Sequence, residues 1–412
     1  MSTFAERRLR NGLTVMVESM DGVSSVAAGF LVRTGARDET ADLAGVSHFL
    51  EHMCFKGTAK RGWQQITVDF DALGSVYNAF TSKEKTFYFG WVRDRDAEPQ
   101  TELLADMMRS ILPPAEFDTE KKVILEEIAM SGDQIDRHLY DLVHEKIFAG
   151  HPLAWPVLGT NDTVARLQRD QMHAYFASRY NPANMALLVC GSIRADDAFA
   201  IAERLCGDWP AGPPRAARQP PRPLPTGVAV ARLERFKQQA LALIFPAASA
   251  VDPMDETAES LAAVLGGQNS RFFWKIVQAG VAPVAAALRV DYCDNGLMLL
   301  YGCCEPPHCE QLRDAFLEQL RTIQSGGVTD VELARVKNRR RTGLATEAEA
   351  PYHRLMQLAH DVDMFGRPRS VDERLAAVDA VTPARIGEYL ERYPMTDGHY
   401  LVSVGPREWP KV

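Results

Sequence analysis

Apolar and polar positions recur with two periods along the chain, and the switches between them mark its elements. Residues 13–18 and 25–32 are rich in β-branched and small side chains and predict strands. From 43 to 56 the apolar spacing becomes helical, with Asp42 as a cap and Gly57 as the stop. Residues 78–91 read as one extended segment, because Thr81, Thr86, Phe87, Tyr88 and Phe89 favour strand. Pro99 suits the first position of a helix reaching 111, and a second helix is predicted over 116–147, broken near Gly132.

The same order of elements returns later. Tyr175 to Tyr180 closes a helix, and a β-rich run from Met185 to Cys190 follows and ends at Gly191; Glu388 to Tyr393 is followed in the same way by His399 to Val404 and Gly405. Two α+β domains of one fold are therefore predicted. Seven prolines (210, 213, 214, 220, 221, 223 and 225) interrupt all periodicity between them. Proline fixes φ and removes a backbone donor, so residues 208–227 read as an extended linker joining a domain over 1–207 to one over 228–412.

Composition narrows the classes. A formal net charge of −8 argues against a nucleic-acid binder, and no apolar run is long enough to span a bilayer. The first residues carry charge with no apolar segment behind it, so no secretory signal is predicted. Seven cysteines form no regular framework, and several sit in apolar runs, which fits reduced, buried thiols in a cytoplasmic protein. Cys303, Cys304 and Cys309, with His308 among them, match no standard zinc spacing.

The chemistry concentrates in Gly45-Val-Ser-His48-Phe-Leu-Glu51-His52-Met-Cys-Phe-Lys-Gly57. On a helix, His48 and His52 stand one turn apart on one face, with Glu51 beside them. Two imidazoles so placed can hold one zinc ion, and a neighbouring carboxylate can take a proton from water. A third ligand should come from another helix. The 116–147 segment offers Glu120, Glu126 and Glu127, of which Glu120 and Glu127 share a face, with Val123 and Ile124 as an apolar flank. Spacing alone does not choose among these carboxylates.

His-x-x-Glu-His is the inverted zincin motif, and its surroundings resemble the pitrilysin/insulinase family of metallopeptidases, mitochondrial processing peptidase and short bacterial homologues included. The likeness runs from Gly45 through Thr58, continues in Asn78-Ala-Phe-Thr-Ser-Lys-Glu84, and ends in Val123-Ile-Leu-Glu-Glu127, with 74 residues between His52 and Glu127. The resemblance implies two homologous domains, each a mostly antiparallel sheet with packed helices. It implies one zinc ion per chain on His48, His52 and Glu127, with Glu51 as the catalytic base. Glu120 matches a second acidic position that supports the site, and Glu126 matches no family role. Asn78, Ala79, Phe80 and Thr81 match an edge strand that binds peptide substrate. The other histidines (138, 144, 151, 173, 308, 353, 360 and 399) are expected to be structural or exposed.

The second half departs from the pattern. Family members that act alone resemble one another in an arginine and a tyrosine, seven apart, that reach substrate from the second domain. Here Val277 stands at the arginine position and Pro283 near the tyrosine position. Neither can donate a side-chain hydrogen bond. The resemblance therefore implies a zinc endopeptidase subunit completed by a paralogous chain carrying that pair, with a homodimer as the alternative. A non-catalytic structural or peptide-binding subunit of the same fold is the rival reading.

Overall fold

The computed structural model describes residues 2–395 and 399–410. Met1 and Val412, the outer limits of the expected domains, lie outside that set. The N-terminal stretch runs β1 (Ser2–Arg8), β2 (Thr14–Met20), β3 (Ser25–Val32), α1 (Val46–Cys54), α2 (Trp63–Leu73), β4 (Val76–Thr81), β5 (Thr86–Arg93), α3 (Ala97–Met107), α4 (Pro114–Gly132), α5 (Ile135–Ile147), α6 (Asn161–Arg166), α7 (Arg169–Arg179), β6 (Met185–Gly191) and α8 (Ala195–Cys206). Residues 210–226 carry no regular structure. The chain continues as β7 (Gly227–Arg232), β8 (Gln239–Ala247), α9 (Asp255–Gly266), β9 (Val284–Asp291), β10 (Gly296–Cys304), α10 (Cys309–Gly326), α11 (Asp330–Glu347), α12 (Pro351–Phe365), α13 (Val371–Asp379), α14 (Pro383–Arg392) and β11 (Tyr400–Gly405).

Two compact units result. The first holds residues 1–129, 155–218 and 346–369, and the second holds 130–154, 219–345 and 370–412. Its six-stranded sheet gives the first unit the order β1-β2-β6-β3-β5-β4, and the five strands of the second follow β7-β11-β8-β10-β9. Leaving β1 aside, the two sheets have one topology. Each contains a single parallel pair, β2 with β6 and β7 with β11, and the other pairings are antiparallel. The α+β duplication read from the sequence is thus present strand for strand.

The units do not follow the expected division at 207 and 228, because each takes a helix from the other half of the chain. Helix α12 covers one face of the first sheet through Leu355, Leu358, Ala359 and Val362, which meet Met16, Leu31, Phe87 and Leu188. Helix α5 does the same in the second unit, where Leu139, Val143 and Ile147 meet Ala242, Ile244, Leu299 and Val402. Both stripes recur at helical spacing, so each helix buries one continuous face. The opposite faces of the sheets carry the two larger cores.

Several local expectations change. The 78–91 segment is a hairpin, β4 and β5, turned at residues 82–85. Helix α1 is capped at Gly45 rather than at Asp42, and it ends at Cys54, before Gly57. Helix α3 starts at Ala97, so Pro99 sits inside its first turn. Helix α2 has only Ile66 and Phe70 buried, and its weak stripe left no periodic signal in the sequence. None of the seven cysteines forms a disulfide among the described residues, and all but Cys293 are buried. No helix among the described residues is long and apolar enough to cross a membrane.

One charged pair ties α12 to its sheet. Arg354 Nε lies 3.0 Å from both carboxylate oxygens of Glu18 on β2, and Nη2 lies 2.9 Å from Oε2, with both side chains almost fully buried. Removing one partner leaves a buried charge uncompensated. Arg354→Met should therefore lower stability by about 3–5 kcal/mol in urea unfolding. Adding Glu18→Leu to it should restore much of the loss. An Arg354→Met variant as stable as wild type would show that the pair does not hold the helix.

Candidate metal centre

Helix α1 is short and buried, so its position is set by packing. Eight of its nine residues are buried, and Phe49 stacks on Phe117 of α4 at 4.9 Å between ring centroids. Its N-cap, Gly45, has φ 96°, and a Cβ there would stand 2.7 Å from Leu158 O, so glycine is required on both counts. Gly45 has no side chain with which to cap the helix. Glu39 supplies the acceptors instead: its Oε2 takes the Gly45 N–H at 2.8 Å and its Oε1 takes the Ser47 N–H at 2.7 Å. Burial pushes the Glu39 carboxyl up to about 8, against the lowering effect of those same N–H groups.

From this base α1 presents His48, Glu51 and His52. The two imidazoles lie 4.7 Å apart between centroids. Helix α4 approaches with Phe117, Glu120 and Ile124 buried and brings Glu127 opposite them. Glu127 Oε2 lies 3.8 Å from His48 Nε2 and 3.8 Å from His52 Nε2, and one ligand atom of each of the three residues lies within 4.8 Å of the others. Two ring nitrogens and a carboxylate oxygen converging in this way form a donor set suited to zinc. Of the carboxylates left open by spacing, Glu126 is exposed and Val123, expected as an apolar flank, is 42% exposed. Ile124 alone fills the flank.

Glu120 faces the site from behind His52. Its Oε1 lies 2.8 Å from His52 Nδ1, and its Oε2 lies 2.6 Å from Lys56 Nζ. Burial would raise this carboxyl, but its bonds to His52 and Lys56 outweigh burial and hold it below the usual range. Burial likewise works against a proton on His52, and the carboxylates of Glu120, Glu51 and Glu127 overcome it and raise His52. With Nδ1 engaged by Glu120, Nε2 is the nitrogen turned toward Glu127 and available to a metal.

Glu51 is held from the sheet. Thr81, the last residue of β4, donates its hydroxyl to Glu51 Oε2 at 2.5 Å. Burial raises the Glu51 carboxyl, with Thr81 and His52 opposing and Glu127 adding to the rise. Strand β4 is the edge of its sheet. Alternation sends Tyr77, Ala79 and Thr81 toward α1 and Asn78 and Phe80 to the other face, where Phe80 packs under α12. The Asn78 side chain turns back to accept the Ala79 N–H at 2.8 Å. Glu84, the last residue of the Asn78–Glu84 run, takes the Arg37 Nη1 hydrogen bond at 2.7 Å and that of Arg218 Nη1 at 3.0 Å, which fixes the turn after β4.

All nine residues singled out in the sequence thus fall in the first unit, on α1, α4 and β4. The sequence missed Glu39, which lies in no motif, and the contact of Thr81 with Glu51. Among the remaining histidines, His144 is fully buried and bonded to Tyr140 O and to the Tyr292 hydroxyl, a structural role as expected.

The family model described as Insulinase (Peptidase family M16) matches residues 14–161, and the one described as Peptidase M16 inactive domain matches 166–340. A Bacillus subtilis protein, "Uncharacterized zinc protease YmxG", is 30% identical over 96% of this chain and 97% of its own. The chain belongs to the insulinase family, peptidase family M16. A Mycobacterium leprae relative, also described as an uncharacterized zinc protease, is 31% identical over 92% of this M16 chain and 86% of its own. Among solved structures, a protease from Helicobacter pylori shares the M16 fold with a TM-score of 0.92 at 19% identity, covering 98% of this chain and all of that one. A putative M16-like peptidase from Alicyclobacillus acidocaldarius does so with a TM-score of 0.85 at 20% identity, over 98% of each chain. The second half of this M16 chain contains no His-x-x-Glu-His run.

The Glu39 cap carries a pH dependence of definite sign. Because the folded value lies above the ordinary 4.5, the native state binds this proton more tightly than the unfolded chain. Stability from this group is then greatest below about 4.5 and declines as pH rises toward about 8. Relative to Glu39→Gln, which cannot titrate, the wild type should lose about 2–4 kcal/mol between those limits in urea unfolding. Parallel pH profiles for the two proteins would show that Glu39 does not titrate in the native state.

Proposed function

We propose that this chain is a zinc-dependent endopeptidase acting on peptides or unfolded segments, with one zinc ion on His48, His52 and Glu127. The observation that carries this reading is the convergence of two imidazole Nε2 atoms on Glu127 Oε2, with Glu51 on the same helix beside them. A bound zinc ion supplies Lewis acidity toward a peptide carbonyl and toward water. The protein's own groups do the rest. Glu51 takes a proton from the attacking water and delivers it to the leaving amine, and the rise in its proton affinity on burial suits both steps. Thr81 fixes which way that carboxylate points. Glu120 keeps His52 in one tautomer and one orientation, a positioning role. The edge of β4 from Asn78 to Thr81 pairs with the extended backbone of a peptide, and a peptide carbonyl takes over the Ala79 N–H that Asn78 now accepts. With no disulfide among the described residues and six of the seven cysteines buried, we assign the chain to the reducing cytoplasm.

Metal analysis and kinetics on a flexible peptide test this together. Wild type should carry about one zinc per chain, and Glu127→Gln should lose it. Glu51→Gln should keep zinc while turnover falls about a hundredfold or more. Wild-type turnover in Glu51→Gln, or full zinc content in Glu127→Gln, would overturn the assignment of that residue.

We further propose that the chain is the zinc-bearing subunit of a heterodimer. The support is Val277 and Pro283, which offer no side-chain donor where one is expected. Loss of such a donor costs on the order of a hundredfold in turnover. Alone, the chain should be weakly active, and a similar-sized paralogue carrying an arginine and a tyrosine should raise its activity by about that factor. Full activity of the single chain, unchanged on mixing, would refute the pairing and favour a self-sufficient enzyme or a homodimer. A chain that binds peptide but neither zinc nor paralogue would favour the non-catalytic alternative.

A further inference from the structure

The second unit contains a cavity of about 730 Å³ that the proposed chemistry does not use. It is walled by the end of α9, the loop after it, and one face each of α10 and α11. Its charge is unlike that of the chain. Arg271, Lys275, Arg335 and Arg339 line it against a single carboxylate, Glu332, in a protein whose net charge is −8. Glu332 is already engaged, since Arg271 grips both of its oxygens at 2.7 and 2.9 Å. Arg271 Nη1 is buried with no acceptor among the described residues. Lys275 and Arg335 are exposed and form no ion pair among the described residues, and Arg339 reaches only the Gln268 carbonyl. Unneutralised cations gathered in a concave site focus a positive potential on whatever enters.

The backbone here is also unusual. Residues Phe273–Val277 form a π-helical turn, a rare feature frequent at functional sites, and Asn269 holds φ 55°. Together these conformations set Trp274 at the wall, 54% exposed, with its Nε1 donating to the Asn269 carbonyl at 3.2 Å. A tryptophan fixed by a hydrogen bond yet left open offers a rigid apolar face.

We propose that this cavity binds an acidic polypeptide segment, in which carboxylates flank an apolar side chain. Guanidinium groups match carboxylates in pairs, and the apolar side chain covers Trp274. The cavity thereby gives the second unit a preference among polypeptide segments, whether or not the chain cleaves them.

The test uses the full chain carrying Glu51→Gln, so that no bound peptide is cut. A labelled flexible peptide with glutamates around a phenylalanine is compared by fluorescence anisotropy with its glutamine counterpart. The acidic peptide should bind about tenfold more tightly or better, and the preference should weaken with added salt. Arg335→Gln with Arg339→Gln should abolish the preference, and Trp274→Ala should weaken both peptides. These side chains are exposed, and the native circular dichroism spectrum of each variant confirms folding. Equal affinity for the two peptides, or a preference that survives the double arginine substitution, overturns the proposal. So does a short RNA that binds the cavity more tightly than the acidic peptide. The peptidase reading fails separately: acidic peptide bound by a chain that holds no zinc and cleaves nothing would sink that reading and leave this one standing.

Discussion

Two backbone N–H groups at the start of α1 end on one buried carboxylate, that of Glu39, and the candidate metal centre is built on that contact. A helix of nine residues cannot hold itself together in water, so its geometry is imposed from outside. Packing supplies most of this through Phe49, Leu50 and Met53. Packing cannot satisfy the donors at the buried helix start, and an unmet buried donor costs about 1–3 kcal/mol. Glu39 answers that requirement while Gly45 lets the chain turn in against residues 158–159. The two histidines and Glu51 then have fixed starting points, and α4 and β4 bring Glu120, Glu127 and Thr81 to them from separate directions.

The site is held by an alternation of charge. Lys56, Glu120 and His52 form a chain of hydrogen-bonded groups that leads from solvent to the ring nitrogen facing Glu127. Glu51 stands outside this chain and answers to Thr81. Two carboxylates that both act on His52 therefore differ in character: Glu120 is held in its ionised form and Glu51 is eased toward its protonated one. Burial raises Glu51 more than Thr81 and His52 can offset, whereas the bonds from His52 and Lys56 overcome burial at Glu120.

Much of this was legible in the sequence, for definite reasons. Helical spacing put His48, Glu51 and His52 on one face, and alternation exposed the strands around them. The duplication was legible because each half closes with the same helix and strand. What stayed hidden was tertiary. The stripe on α12 shows that Leu355, Leu358 and Val362 are buried, but a stripe does not say against which sheet. The prolines of 210–225 mark an extended passage, and they carry no information about helices that pack across it. Spacing could not order the carboxylates of α4, which only the family resemblance ranked in the sequence, and Glu39 belongs to no local pattern at all.

The exchange of α5 and α12 between the halves has a consequence for how the protein is made. A ribosome delivers the whole first sheet long before it delivers residues 351–365. Until then Met16, Leu31, Phe87 and Leu188 lack their cover, and Glu18 waits without its cation. The first unit is therefore completed only after residues 351–365 have been made, and until then its apolar face is open to non-native association. His48, His52 and Glu127, the three groups of the candidate metal centre, all belong to the first 127 residues and are made before the sheet that supports them can close.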